Sequence, residues 1–170
     1  GVAVAGDPQL SLSGGTLAAS ARLTASDGGS LSLVGCSGSL AVLSVTDSSI
    51  DIDTFTSESL TLSSIYLDNA GPVALTSSTI EQIMTVSGAS QLSLSGCTLA
   101  ASATLTATGG GSLSLVGCSG SLTELSVTDS TLNIAISTSL TLGQVDLNNA
   151  GPVALTASTI EQTVAVSGDT

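Results

Sequence analysis

Thr104-Leu105-Thr106-Ala107-Thr108 is the stretch from which the rest of this chain can be read. Side chains alternate across a β-strand, so Leu105 and Ala107 point one way while three threonines point the other. The alternation recurs along the chain at intervals of about twenty residues. It is found in Thr24-Ala25-Ser26, Ser44-Val45-Thr46, Thr61-Leu62-Ser63, Thr85-Val86-Ser87, Ser126-Val127-Thr128, Thr141-Leu142-Gly143 and Ala165-Val166-Ser167. Stacked as rungs of one ladder, these strands carry a hydroxyl at every position of two outward files except Gly143 and Ala165.

The ladder sits inside a duplication. Gln9–Ala21 reappears as Gln91–Ala103 with Cys97 in place of Gly15, Ser30–Leu40 returns as Ser112–Leu122, and Asn69–Thr76 as Asn149–Thr156. The shift is 82 residues up to Ile52 and Ile134 and 80 from Leu60 and Leu140 onward, so the difference falls in a tolerant loop between positions 53 and 59. Each repeat divides again. One inward series reads Leu12, Leu33, Ile52, Leu75, Leu94, Leu115, Ile134 and Leu155; a second reads Ala25, Val45, Leu62, Val86, Ala107, Val127, Leu142 and Val166. A further aliphatic often follows, among them Leu17, Leu40, Leu67, Ile80, Leu99, Leu122, Leu147 and Ile160.

A period near twenty, with short strands, glycine turns and stacked aliphatics, is the signature of a β-solenoid. Helices are no rival, because Ser, Thr, Gly and β-branched residues dominate and the apolar period is two. The expected fold is all-β: a single parallel β-helix over residues 1–170, with internal repeats 9–90 and 91–170. It would wind about eight coils of roughly 20 residues. Coil lengths vary and exceed those of left-handed hexapeptide helices, which favours a right-handed coil. Neither end carries an amphipathic capping helix, so the outermost strand edges need cover. Either short segments such as Gly6-Asp7-Pro8 provide it, or end-to-end neighbours in a longer solenoid do.

Composition narrows the function. Hydrophobic residues make up 42% of the chain and aromatics 1%, Phe55 and Tyr66 alone, so the core must be aliphatic and of uniform width. The net charge is −12, with Arg22 the single basic residue and no His. Such a surface repels phosphate backbones and anionic bilayers, which argues against nucleic-acid and membrane partners. No apolar run has the roughly 18–20 residues a transmembrane helix needs. Gly1–Ala5 is too short for a signal peptide and lacks its charged start. A chain that opens without Met reads as processed or excised, and secretion to the extracellular space is the expected location.

Catalysis is not expected. Serines abound, but without His or Lys nothing obvious activates one, and one Arg with almost no rings is a poor sugar-cleaving set. No cofactor or metal is expected either, since His is absent and no close Cys pair exists. Asp47, Asp51 and Asp53 form the densest acidic cluster, but the second repeat keeps only Asp129 and has Asn133 and Ala135, so a solvated face is the better reading. Cys97 and Cys118 each follow an inward leucine by three residues and should stack on adjacent coils within disulfide range. Either they bridge and Cys36 remains a thiol, or all three are buried thiols. Cys36 has the same place in the first repeat, but its neighbour there is Gly15.

The other outward face is a control for composition. Its rungs are Ser11/Ser13, Ser32/Val34, Asp51/Asp53, Ala74/Thr76, Ser93/Ser95, Ser114/Val116, Asn133/Ala135 and Ala154/Thr156, with hydroxyls at eight of sixteen places against fourteen of sixteen on the first. The Thr/Ser files are therefore not a by-product of a Ser-rich chain. Their grid spacing is about 4.8 Å along the rod and about 6.5–7 Å across it. Here the chain resembles β-solenoid ice-binding (antifreeze) proteins, whose working surface is a Thr-x-Thr array. The resemblance implies adsorption to ice or ordered water through Thr24, Ser26, Ser44, Thr46, Thr61, Ser63, Thr85, Ser87, Thr104, Thr106, Thr108, Ser126, Thr128 and Thr141. The alternative is a structural or adhesive solenoid segment of a larger extracellular surface or filament protein.

Overall fold

A computed structural model describes residues 1–53, 59–135, 139–151, 153, 155 and 158–168, without the Asp53 side chain. Ala154, Thr156 and residues 54–58, which include Phe55 and fall where the two repeats differ in length, lie outside the described residues. Among the described residues every regular element is a strand, and every pairing between strands is parallel. The strands stack as a β-solenoid of about eight coils, about 20 residues apart.

One coil shows how the sequence winds. Gln91–Ser95 forms a short strand with Leu92 and Leu94 inward. Gly96, at φ 61°, turns the chain, and Cys97 drops into the interior. The long strand Thr98–Thr108 then runs round two sides of the coil, bent by an irregular register between Leu99 and Thr104. Gly109, at φ 63°, closes the circuit. This closing position is left-handed in successive coils, filled by Gly6, Asp27, Asp47, Asn69, Gly88, Gly109, Asp129, Asn149 and Gly168. Only Gly, Asn and Asp visit that backbone region at small cost, which is why these types recur there.

The long strands build an 11-stranded sheet that covers two sides of the rod. The third side is made of Gln9–Ser13, Ser30–Val34 and Ser49–Asp53, followed by Pro72–Thr76, Gln91–Ser95, Ser112–Val116 and Thr131–Ala135. These two runs meet where the Gly71 amide donates to the Ser48 carbonyl at 3.0 Å.

The interior is a set of aliphatic columns. Leu12, Leu33 and Ile52 stack in register, as do Leu75, Leu94, Leu115, Ile134 and Leu155, matching the first inward series. Each fully buried Leu or Ile is worth about 1.5–3 kcal/mol relative to exposure. The second series needs correcting. The column that contains Ala25, Val45, Val86, Ala107, Val127 and Val166 takes Leu67 and Leu147, not Leu62 and Leu142. Leu62 stands instead between Leu40 and Ile80, and Leu142 beside Leu122. The cause is that Leu60–Asp68 holds two alternating stretches on either side of a corner, where Ser64 and Ile65 are both buried. Matching hydroxyls alone selects Thr61-Leu62-Ser63, whereas the hydrogen-bond ladder aligns Tyr66-Leu67-Asp68 with the neighbours.

Candidate functional site: the hydroxyl face

On the last side of each coil three outward files run along the rod. The central file reads Ala3, Thr24, Ser44, Tyr66, Thr85, Thr106, Ser126, Asp146 and Ala165. The file beside it reads Ala5, Ser26, Thr46, Asp68, Ser87, Thr108, Thr128, Asn148 and Ser167. On the other flank stand Arg22, Val42, Ile83, Thr104, Glu124 and Gln144, with Ser64 buried at its place in that row.

Ten of the residues expected on this face therefore lie in its two central files: Thr24, Ser26, Ser44, Thr46, Thr85, Ser87, Thr106, Thr108, Ser126 and Thr128. Thr104 lies in the flanking file, between Ile83 and Glu124. Thr61, Ser63 and Thr141 do not belong. Thr61 aligns with Ser39 and Thr79 on the adjoining side of the rod, and Thr141 with Ser121 and Thr159. Ser63 sits at the corner, where its hydroxyl donates to the Glu81 carboxylate at 2.8 Å. Tyr66 and Asp68 occupy the rung assigned to Thr61 and Ser63, and Asp146 and Asn148 the rung assigned to Thr141 and Gly143.

The two substituted rungs divide the face. Thr24/Ser26 and Ser44/Thr46 make a short block, while Thr85/Ser87, Thr106/Thr108 and Ser126/Thr128 make a longer one. Between them Tyr66 stands 39% exposed, with Ile83 equally exposed on the diagonal. Within the longer block the register runs without a break from Ile83 to Ser87 and from Thr104 to Thr108, because the irregularities are confined to the preceding corner. The threonine and serine side chains there are half-buried between neighbours, which restricts their rotamers. The Ser87 hydroxyl is tied down: it lies 3.2 Å from the Leu67 carbonyl and 3.0 Å from the Asp68 carboxylate, and can donate to one of them. At the far end Asp146 accepts from the Gln144 amide at 2.6 Å.

No protein-family model, curated protein or solved structure matches the chain.

The cysteines sit just after three of the short strands of the third side, Ser30–Val34, Gln91–Ser95 and Ser112–Val116. Cys36, Cys97 and Cys118 are all buried and stand as thiols in this structure. Each follows a left-handed or tight turn and reaches back toward the preceding coil. The Cys36 sulfur lies 3.5 Å from the Leu12 carbonyl, Cys97 3.4 Å from Leu75, and Cys118 3.5 Å from Leu94. Ser78 fills the same place one coil before Cys97, its hydroxyl donating to Thr76 at 3.1 Å. Cys97 and Cys118 also hydrogen-bond to each other. That bond, and then burial, push the Cys97 thiol far up. The same bond favours the thiolate of Cys118, lowered to about 7 against the opposing effect of burial.

Composition did not signal Tyr66 and Asp68 as part of the face. The available cue was position: Asp68 precedes Asn69 as Ser87 precedes Gly88 and Thr108 precedes Gly109, each just before a left-handed corner.

Proposed function

We propose that the chain is an extracellular ice-binding β-solenoid whose working surface is the block formed by Thr85, Thr106, Ser126, Ser87, Thr108 and Thr128. What supports this reading is the in-register alignment of those six side chains on three successive rungs. Across those three rungs hydroxyls repeat at about 4.8 Å by about 6.5–7 Å, with threonine methyls between them, and none of the six side chains is charged. A grid of that kind can hold water in a regular layer, and adsorption of the layer to a crystal would arrest growth locally. Binding would involve no cofactor and no covalent chemistry.

The decisive experiment is ice growth in the presence of the purified chain and of Thr106→Tyr. Faceted crystals and a gap between melting and freezing, both lost in the variant, are expected. The substitution is outward on a strand, where Tyr is a good former, so stability should change by no more than about 0.5 kcal/mol. Unshaped ice from the native chain sinks the proposal.

A second reading, a structural or adhesive segment of a larger surface or filament protein, draws on a different observation. Tyr66/Asp68 and Asp146/Asn148 interrupt the face at two rungs, as suits an outer surface that is not used over its whole length. If ice is unaffected, this reading takes precedence.

A further inference from the structure

The two adjacent thiols have a consequence for the covalent state of the chain. We propose that Cys97 and Cys118 are a dithiol that closes to a disulfide when a low-molecular-weight disulfide is the oxidant, stapling the two coils that carry Thr104–Thr108 and Ser126–Thr128.

The placement comes from the ladder. Thr98 pairs with Ser119, and the Ser119 amide donates to the Cys97 carbonyl at 3.0 Å, so the two cysteines are direct neighbours on successive coils. Neighbouring strands are about 4.8 Å apart, inside the Cα range of disulfides; the Cβ atoms must close to about 3.8 Å, a movement of roughly an ångström. Both side chains already point inward and are 0% exposed, and their sulfurs share a hydrogen bond. Cys36 provides the contrast within the same chain. It is buried in the equivalent position, but the residue before it in the column is Gly15, whose carbonyl accepts from Ser37 at 3.0 Å.

The exchange balances without help from the protein. The Cys118 thiolate attacks one sulfur of oxidised glutathione, and one glutathione thiolate leaves. Cys97 then gives its proton to solvent, and its sulfur displaces the second glutathione from Cys118. Two S–H bonds become one S–S bond, and the two electrons reside on two glutathione thiols. Glutathione cannot enter a closed coil, so exchange proceeds while these coils are open or during folding. Once formed, the link closes a loop of about 22 residues, which restricts the unfolded chain.

The test removes access as a variable and depends on neither functional reading above. The chain is refolded from urea in a glutathione buffer of oxidising poise, quenched with an alkylating agent and mapped by mass. The expected product is a 97–118 cross-link lighter by two hydrogens, with Cys36 alkylated. Its thermal midpoint should exceed that of the reduced chain by about 6–10 °C. Cys97→Ser, a replacement that Ser78 already makes one coil earlier, should form no cross-link and show no such rise. Three alkylated cysteines under oxidising refolding, a link that involves Cys36, or a lowered midpoint each overturns the proposal.

Discussion

Replacing Gly120 with Ala tests the stacking of the coils at one atom. Gly120 pairs with Leu99 of the preceding coil and has φ 105°. A Cβ built there runs into the Leu99 carbonyl oxygen, with the carbonyl carbon and amide nitrogen of Leu99 both at 3.0 Å. All three are backbone atoms held in the ladder, so no side-chain rotation relieves the overlap. Gly110 has nearly the same backbone, φ 97°, but its added Cβ would meet the Gly88 carbonyl oxygen at 3.6 Å, an ordinary contact. Gly110→Ala therefore reports left-handed strain alone, about 1–3 kcal/mol. Gly120→Ala adds a steric cost, about 1–3 kcal/mol by analogy with overpacked cores, for about 2–6 kcal/mol in all. Urea unfolding followed by far-ultraviolet circular dichroism measures both. Equal losses in the two variants, within about 0.5 kcal/mol, would refute the close approach of the coils at Leu99. Gly38, which meets the Leu17 carbonyl in the same way, is an independent repeat of the experiment.

Two further outcomes follow from the face and the thiols. Joint replacement of Tyr66 and Asp68 by Thr unites the two hydroxyl blocks into one grid; ice-growth inhibition should rise while stability stays within about 0.5 kcal/mol. Unchanged inhibition in a chain that does shape ice would show that the two blocks do not work together. For the thiols, the hydrogen bond with Cys118 and burial raise Cys97 in the folded chain above the ordinary thiol range, so its stabilising contribution is complete below about pH 9 and is lost as pH rises beyond it. Unfolding midpoints should fall with pH above about 9, by up to about 1.4 kcal/mol per pH unit, and Cys97→Ser should flatten that limb. A native limb with the same slope as the variant's would show that the shift has no energetic weight.

The solenoid was legible because its signal is redundant. The column of Leu94 and Leu115 is repeated with so little variation that strand, period and inward face all follow from it. The face was legible only in part. Wherever a long strand holds one alternating stretch with hydroxyls, as in Thr98–Thr108, the rung falls in the right place. Leu60–Asp68 and Leu140–Asn148 each hold two alternating stretches, and a side-chain pattern cannot say which of them follows the corner. Backbone hydrogen bonds decide that, and they have no side-chain signature except the left-handed Asn69 and Asn149 just beyond. For the cysteines the spacing gave the neighbour relation, but which covalent state the pair adopts depends on sulfur geometry and redox conditions.

In a parallel ladder each coil touches only the coils above and below it, so the chain behaves as a one-dimensional array with nearest-neighbour coupling. The duplication preserves the phase of the winding. Excision of residues 9–90 would join Pro8 to Gln91, and Val2–Ala5 would then lie under Thr104–Thr108 as it now lies under Arg22–Ser26. Every interface in the shortened rod would have a counterpart in the present one. Rod length is accordingly a quantity that whole-repeat gain or loss can change without any coil needing a new partner type.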